Sequence, residues 1–253
     1  MTSTALRDLP EAARIALLAA RELADGETCF VGIGIPSNAA CLALHSHAPG
    51  LTLIFESGVV GADPPEPPLS TGSPSVAAGA AMIADGLCVF GELQAGRIDV
   101  GLLSAAQVDR AGNLNSTVIG DYDAPKLRMV GSGGAHDIAC LAPRLVIVMP
   151  HDPRRFVERV DFITSPGAGE DYARLRARLK LGAGPASLIT SRARFAMGSR
   201  GFELDAPLAG FSREEALDGI PWAAGTGGGD AIAIDAAALA ALERFPHLAG
   251  AKK

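Results

Sequence analysis

Apolar positions along the chain follow two periods. In residues 10–25, Ala13, Ile15, Ala16, Leu18, Ala19 and Leu23 recur at helical spacing, with Glu11, Arg14, Arg21 and Glu22 between them. That spacing predicts an amphipathic helix, opened by Pro10-Glu11 and closed by Asp25-Gly26. Shorter, mainly apolar runs at 28–31, 51–55, 98–103, 145–149 and near 188–190 have strand length. Continuous apolar runs of that length mark strands buried on both faces, as in a parallel sheet covered by helices. Further helices are predicted from Pro36 to about His45 and from Asp235 to Arg244. Residues 77–95 read as a strand or short helix followed by a helix. The prediction is an α/β fold with a mostly parallel central sheet flanked by helices, read as a single domain over residues 1–253.

The run at 51–55 stops at Glu56, followed at once by Ser57-Gly58. Ligands of open α/β sheets sit just past the carboxyl ends of the strands. A glutamate there either ends the strand in water or acts as a nucleophile or acid/base, and the local pattern leaves both readings open. Two glycine-rich turns accompany it. Gly32-Ile33-Gly34 joins a strand to a helix, and Gly131-Ser132-Gly133-Gly134 precedes Ala135-His136-Asp137. Bare backbone at a helix start can face an anionic or carbonyl ligand, although a tight structural turn also explains Gly32 and Gly34. Pro64, Pro65, Pro67 and Pro68 make a stiff extended loop, expected to lie over the site or along a partner surface.

Composition narrows the function classes. The chain of 253 residues is 48% hydrophobic and 20% charged, which excludes disorder. A net charge of -6 gives no electrostatic footprint for nucleic acid or an anionic membrane. No apolar run reaches membrane-span length, and Arg7, Asp8 and Glu11 stand where a signal peptide needs its apolar core. A cytoplasmic location is therefore expected. Cys29, Cys41, Cys88 and Cys140 are widely spaced among apolar neighbours, the pattern of buried free thiols. His45, His47 and His151 have no partner at ligand spacing, so no metal is expected.

Five ordered stretches carry a resemblance. They are Gly32-Ile33-Gly34-Ile35-Pro36, Phe55-Glu56-Ser57-Gly58, the segment from Ala106-Gln107 through Asn113 to Tyr122, Gly131-Ser132-Gly133-Gly134-Ala135, and Val160-Asp161 through Pro166-Gly167. Together they resemble the beta (B) chain of family I CoA-transferases, of the glutaconate CoA-transferase type. The resemblance implies a CoA-transferase-type fold and coenzyme A as substrate, with no tightly bound cofactor. By it, Glu56 matches the glutamate of the Glu-x-Gly motif, which forms a glutamyl-CoA thioester. Gly131, Gly133, Gly134 and Ala135 match the segment lining the thioester, Gly32 and Gly34 match the turn beside the glutamate, and Ser57, Gly58 and Gln107 belong to the matched substrate-binding motifs. It further implies a separate alpha (A) subunit in an A2B2 assembly and inactivity of this chain alone, because the alpha subunit's Gly-x-Gly-Gly-Phe segment is absent here. Decarboxylase and hydrolase branches of the fold replace the glutamate that this chain keeps. His136-Asp137 stands in place of the Asn-Gly of the glutaconate type, a departure bearing on acid specificity.

Overall fold

The structure is a computed structural model that describes residues 6–222 and 229–248. Its strands in chain order are β1 (Thr28–Val31), β2 (Thr52–Phe55), β3 (Val59–Val60), β4 (Met82–Ile83), β5 (Val100–Leu103), β6 (Gln107–Val108), β7 (Leu114–Asn115), β8 (Val118–Gly120), β9 (Pro125–Arg128), β10 (Arg144–Val148), β11 (Pro185–Ile189), β12 (Ala193–Gly198) and β13 (Gly201–Pro207). The helices are α1 (Glu11–Ala20), α2 (Ile35–Leu44), α3 (Gly86–Gln94), α4 (Ala135–Leu141), α5 (Glu170–Leu179), α6 (Arg213–Leu217) and α7 (Ala236–Leu242).

Nine strands form one sheet in the order β13-β12-β11-β10-β5-β1-β2-β3-β4. Its centre is parallel, each of β11, β10, β5, β1 and β2 pairing in parallel with the next. Both margins are antiparallel, through β3 and β4 on one side and β12 and β13 on the other. Apolar runs formed the centre because strands covered on both faces leave no side chain in water. Phe30, Leu53, Phe55, Leu102, Val146 and Ile147 are all fully buried. One face packs on α1, α2 and α7 and the other on α3, α4 and α6, so the core lies in two layers around the sheet.

Residues 77–95 follow the sequence expectation of a strand and then a helix: the 3-10 turn Pro74–Ala77 leads to the two-residue edge strand β4 and then to α3, whose Asp85 cap accepts the Cys88 N–H at 2.9 Å. The hairpin β12–β13 was not anticipated. Phe195, Phe202, Leu204 and Ala206 point into the core while Arg194, Glu203 and Asp205 alternate with them on the outer face. The cysteine reading needs correction as well. Cys29 and Cys41 are buried, and burial pushes the Cys41 thiol up to about 12, whereas Cys88 and Cys140 are only half-buried. The glycine-rich segment expected at 225–229 lies outside the described residues except for Gly229. No helix among the described residues is long and apolar enough to cross a membrane.

Candidate active site

β1, β2 and β5 end side by side, and a cavity of about 330 Å³ opens beyond their carboxyl ends. Val31 and Gly32 contribute from the end of β1, Glu56 from the end of β2, and Leu103 and Ser104 from the end of β5. Glu56 is the first residue after the buried strand, so its backbone inherits the fixed position of the sheet centre. Two residues later Gly58 turns the chain back as β3. It has φ +100°, and a Cβ on it would lie 2.5 Å from the Ala84 carbonyl oxygen, so no side chain fits there.

The opposite wall is the loop of Gly131 to Gly134. Its entry is pinned by Ser116, whose carbonyl accepts the Gly131 N–H at 3.0 Å and whose hydroxyl donates to the Gly131 carbonyl at 2.8 Å. The Gly134 N–H donates to Glu56 Oε2 at 3.1 Å. A Cβ on Gly134 would sit 2.9 Å from that oxygen and 2.5 Å from the Phe90 ring, so the approach of backbone to carboxylate requires glycine. On the other oxygen, the Thr71 hydroxyl donates to Oε1 at 3.3 Å. Among the described residues no cation pairs with Glu56. The result is a half-buried carboxylate held by one amide and one hydroxyl against Phe30, Leu103 and Ile138. Such a group keeps its electron pairs available for attack on a carbonyl, since no guanidinium or ammonium draws off its charge.

The structure separates the residues singled out by sequence. Gly32, Gly131, Gly133 and Ala135 line the cavity with Glu56, and Gly134 reaches the carboxylate through its N–H. Gly34 caps α2 at φ +87° and is exposed, outside the lining. Ser57 is exposed and also outside the lining, while Gly58 serves the turn. Gln107 is buried behind the wall. Its Oε1 accepts from Asn115 Nδ2 at 2.7 Å and from the Asp161 N–H at 3.1 Å, and its Nε2 donates to Asp161 Oδ2 at 3.0 Å. Beside it, Asp109 accepts from Asn113 Nδ2 at 2.9 Å, and Asn113 Oδ1 accepts the Gly167 N–H at 2.8 Å. The motif segments 106–122 and 160–167 therefore interlock through the buried polar residues Gln107, Asp109, Asn113 and Asn115 beneath the glycine wall.

His136 lies outside the lining, its Nδ1 bonded to the Thr164 carbonyl at 3.0 Å. That contact makes Nδ1 the protonated nitrogen of the neutral ring. His45, read as isolated, in fact meets Asp63 at 2.9 Å. His151 is buried between the Thr190 hydroxyl and the Asp218 carbonyl, and desolvation holds its pKa below the ordinary histidine value. Among the described residues no group of three His, Cys, Asp or Glu side chains is placed to hold a metal. Sequence reasoning missed Thr71, Ser116, Phe90 and Val130. The proline-rich loop was expected near the site, but nothing in 64–72 distinguished Thr71 from its serine neighbours.

Comparison with known proteins bears directly on this arrangement. The family model described as Coenzyme A transferase matches residues 12–183. The chain is 44% identical over 212 residues to the B chain of 3-oxoadipate CoA-transferase of Pseudomonas knackmussii, covering 81% of this chain and 80% of that one. It is 37% identical over 158 residues to the B chain of glutaconate CoA-transferase of Acidaminococcus fermentans, covering 60% and 59% of the two chains. The crystal structure of the Acidaminococcus fermentans glutaconate coenzyme A-transferase superposes with a TM-score of 0.83 at 29% identity, over 96% of this chain and 97% of that one. A decarboxylase, AibA/AibB, shares the fold at 24% identity and a TM-score of 0.75. With its model matched across residues 12–183 and its fold superposed along nearly its whole length, the chain belongs to the coenzyme A transferase family, as a beta-type subunit.

Proposed function

We propose that this subunit transfers CoA between carboxylic acids by a two-step covalent exchange on Glu56. The observation that carries the reading is the Glu56 carboxylate itself, free of cations at the carboxyl end of β2, with the Gly134 amide on one oxygen and the Thr71 hydroxyl on the other. One oxygen of Glu56 attacks the thioester carbonyl of an acyl-CoA, and the C–S bond breaks to release CoA thiolate and leave an acyl-glutamyl anhydride. The thiolate attacks the glutamyl carbonyl of that anhydride, giving a glutamyl-CoA thioester and the first carboxylate. The second carboxylate attacks the thioester and repeats the two steps in reverse order, returning Glu56 as a carboxylate. Negative charge builds on the glutamyl carbonyl oxygen whenever thiolate adds to it or leaves, and the Gly134 N–H and Thr71 O–H already point at the two candidate oxygens.

The matching chains of its relatives are named as halves of two-subunit enzymes, which implies an alpha subunit here. We infer that this partner covers the β4 margin and that the assembly is A2B2. Leu69 and Leu87 are 95% and 83% exposed, and Met82 and Ile83 leave the edge strand open with apolar side chains outward. An open apolar edge is the kind of surface that soluble proteins cover.

The deciding experiment co-expresses the chain with its alpha subunit, incubates the complex with acyl-CoA, reduces it with borohydride and maps the peptide holding Glu56 by mass spectrometry. A glutamyl-CoA adduct or its reduced alcohol is expected on Glu56 and none on Glu56→Ala, whose transfer rate falls by about 10⁴ or more. Turnover without an adduct would sink the nucleophile assignment and put water-mediated hydrolysis in its place.

A further inference from the structure

A second cavity, about 430 Å³, adjoins the first and shares Ser104, Ser116 and Val130 with it. Its remaining walls are Ala105, Ala106 and Met129, all without charge, and Arg155. Arg155 ends the 3-10 turn that follows β10. Its neighbour Arg154 is paired with Asp152, but Arg155 has no carboxylate partner among the described residues. It makes one hydrogen bond, from Nη1 to the Ala105 carbonyl at 3.0 Å. Its Nε is buried with no partner, and its Nη2 has no acceptor among the described residues. The nearby Asp152 carboxylate is taken up by Arg154, so the half-buried Arg155 guanidinium stands beside an apolar wall without an ion-pair partner of its own, and a bound anion offsets the cost of burying it. Guanidinium donors match a carboxylate better than any other small acyl substituent.

We propose that Arg155 recognises the distal carboxylate of a dicarboxylic acid whose reacting carboxylate lies at Glu56. The inference rests on the transferase reading and names its substrate class. The two cavities share Ser104, Ser116 and Val130 as walls, and on this proposal a short acyl chain entering at Glu56 runs over Ala105 and Ala106 between Met129 and Val130 toward the cation. The apolar floor suits methylene groups and offers them no hydrogen bond. The charge at the far end selects acids carrying a second carboxylate. A monocarboxylic acid of the same length leaves the guanidinium without its anion.

The test uses the complex with the alpha subunit, acetyl-CoA as donor, and two acceptor pairs matched in length, glutarate with pentanoate and adipate with hexanoate. Wild type is expected to favour the dicarboxylate in at least one pair. Arg155→Gln, which keeps a donor for the Ala105 carbonyl, should lower the ratio of kcat/KM for dicarboxylate over monocarboxylate about 100-fold, the loss of a charge-assisted hydrogen-bonded pair. Arg155→Lys should restore part of the ratio, because it restores the charge without the fork. An equal loss on both acids would overturn the proposal and mark Arg155 as structural or as a contact to CoA. A wild type that prefers the monocarboxylate in both pairs overturns it too, with the transferase reading intact. Absence of any Glu56 thioester overturns that reading first, and the proposal with it.

Discussion

Two motif-rich regions lie within one hydrogen bond of each other and do opposite work. The loop of Gly131 to Gly134 meets Glu56 with bare backbone and lines the cavity. Beneath it the segments 106–122 and 160–167 interlock through the buried Gln107, Asp109, Asn113 and Asn115, whose polar groups are spent on those two segments themselves. Both carry glycines at positions that admit no side chain, yet for different reasons. Gly134 makes room for a carboxylate oxygen, whereas Gly167 makes room for the neighbouring chain, since a Cβ there would lie 2.2 Å from the Ala111 carbonyl oxygen. A motif glycine thus marks close approach without saying whether the thing approached is substrate machinery or scaffold.

Substitutions can pull the two regions apart. Gly167→Ala should have the largest effect on stability, about 3 kcal/mol from forced separation of two backbones. For a chain of this length that is roughly a 10 °C fall in Tm by calorimetry, with activity per folded molecule retained. Loss of turnover at an unchanged Tm would show that the scaffold reaches the chemistry. A smaller effect concerns His151, which anchors the far end of the sheet between Thr190 and Asp218. Burial depresses its folded pKa, so the unfolded chain binds the proton more readily. Its contribution is full above the unfolded value of about 6.5 and is lost as pH falls below that toward the depressed folded value. Urea melts between pH 7.5 and 5 should show this slope in wild type and a shallower one in His151→Gln. An identical slope in both would assign it to other groups. The smallest change is Thr71→Val, which removes one donor from Glu56 Oε1. We expect kcat to fall about 5-fold, on the order of 1 kcal/mol, with Tm unmoved. A wild-type kcat would remove Thr71 from the oxyanion contacts.

Legibility in the sequence followed burial. The central strands are written as mainly apolar runs because both faces are covered, and Glu56 was visible as the residue that ends one of them. Strands β12 and β13 were not visible because only one face is buried, and Arg192, Arg194, Arg200 and Glu203 interrupt the run without interrupting the alternation. The two-residue strand β4 carries no pattern at all. Within the site, the glycine wall was legible through its spacing. Thr71 was not, since it reaches Glu56 through a loop whose course no local pattern fixes. Gln107 shows the converse: a motif residue conspicuous in sequence whose amide is used up in holding Asn115 and Asp161.

The order of strands in the sheet also has a consequence for biogenesis. β2 lies between β1 and β3, so the strand that leads to Glu56 finds both of its sheet neighbours within residues 28–60, while the glycine wall facing it comes from much further along the chain. The Gly134 amide is 78 residues from the carboxylate it serves. Contacts this distant in sequence close late and slowly. On the ribosome the Glu56 carboxylate therefore waits on a strand already flanked by its neighbours, without its amide donor, until the chain has emerged past Gly134.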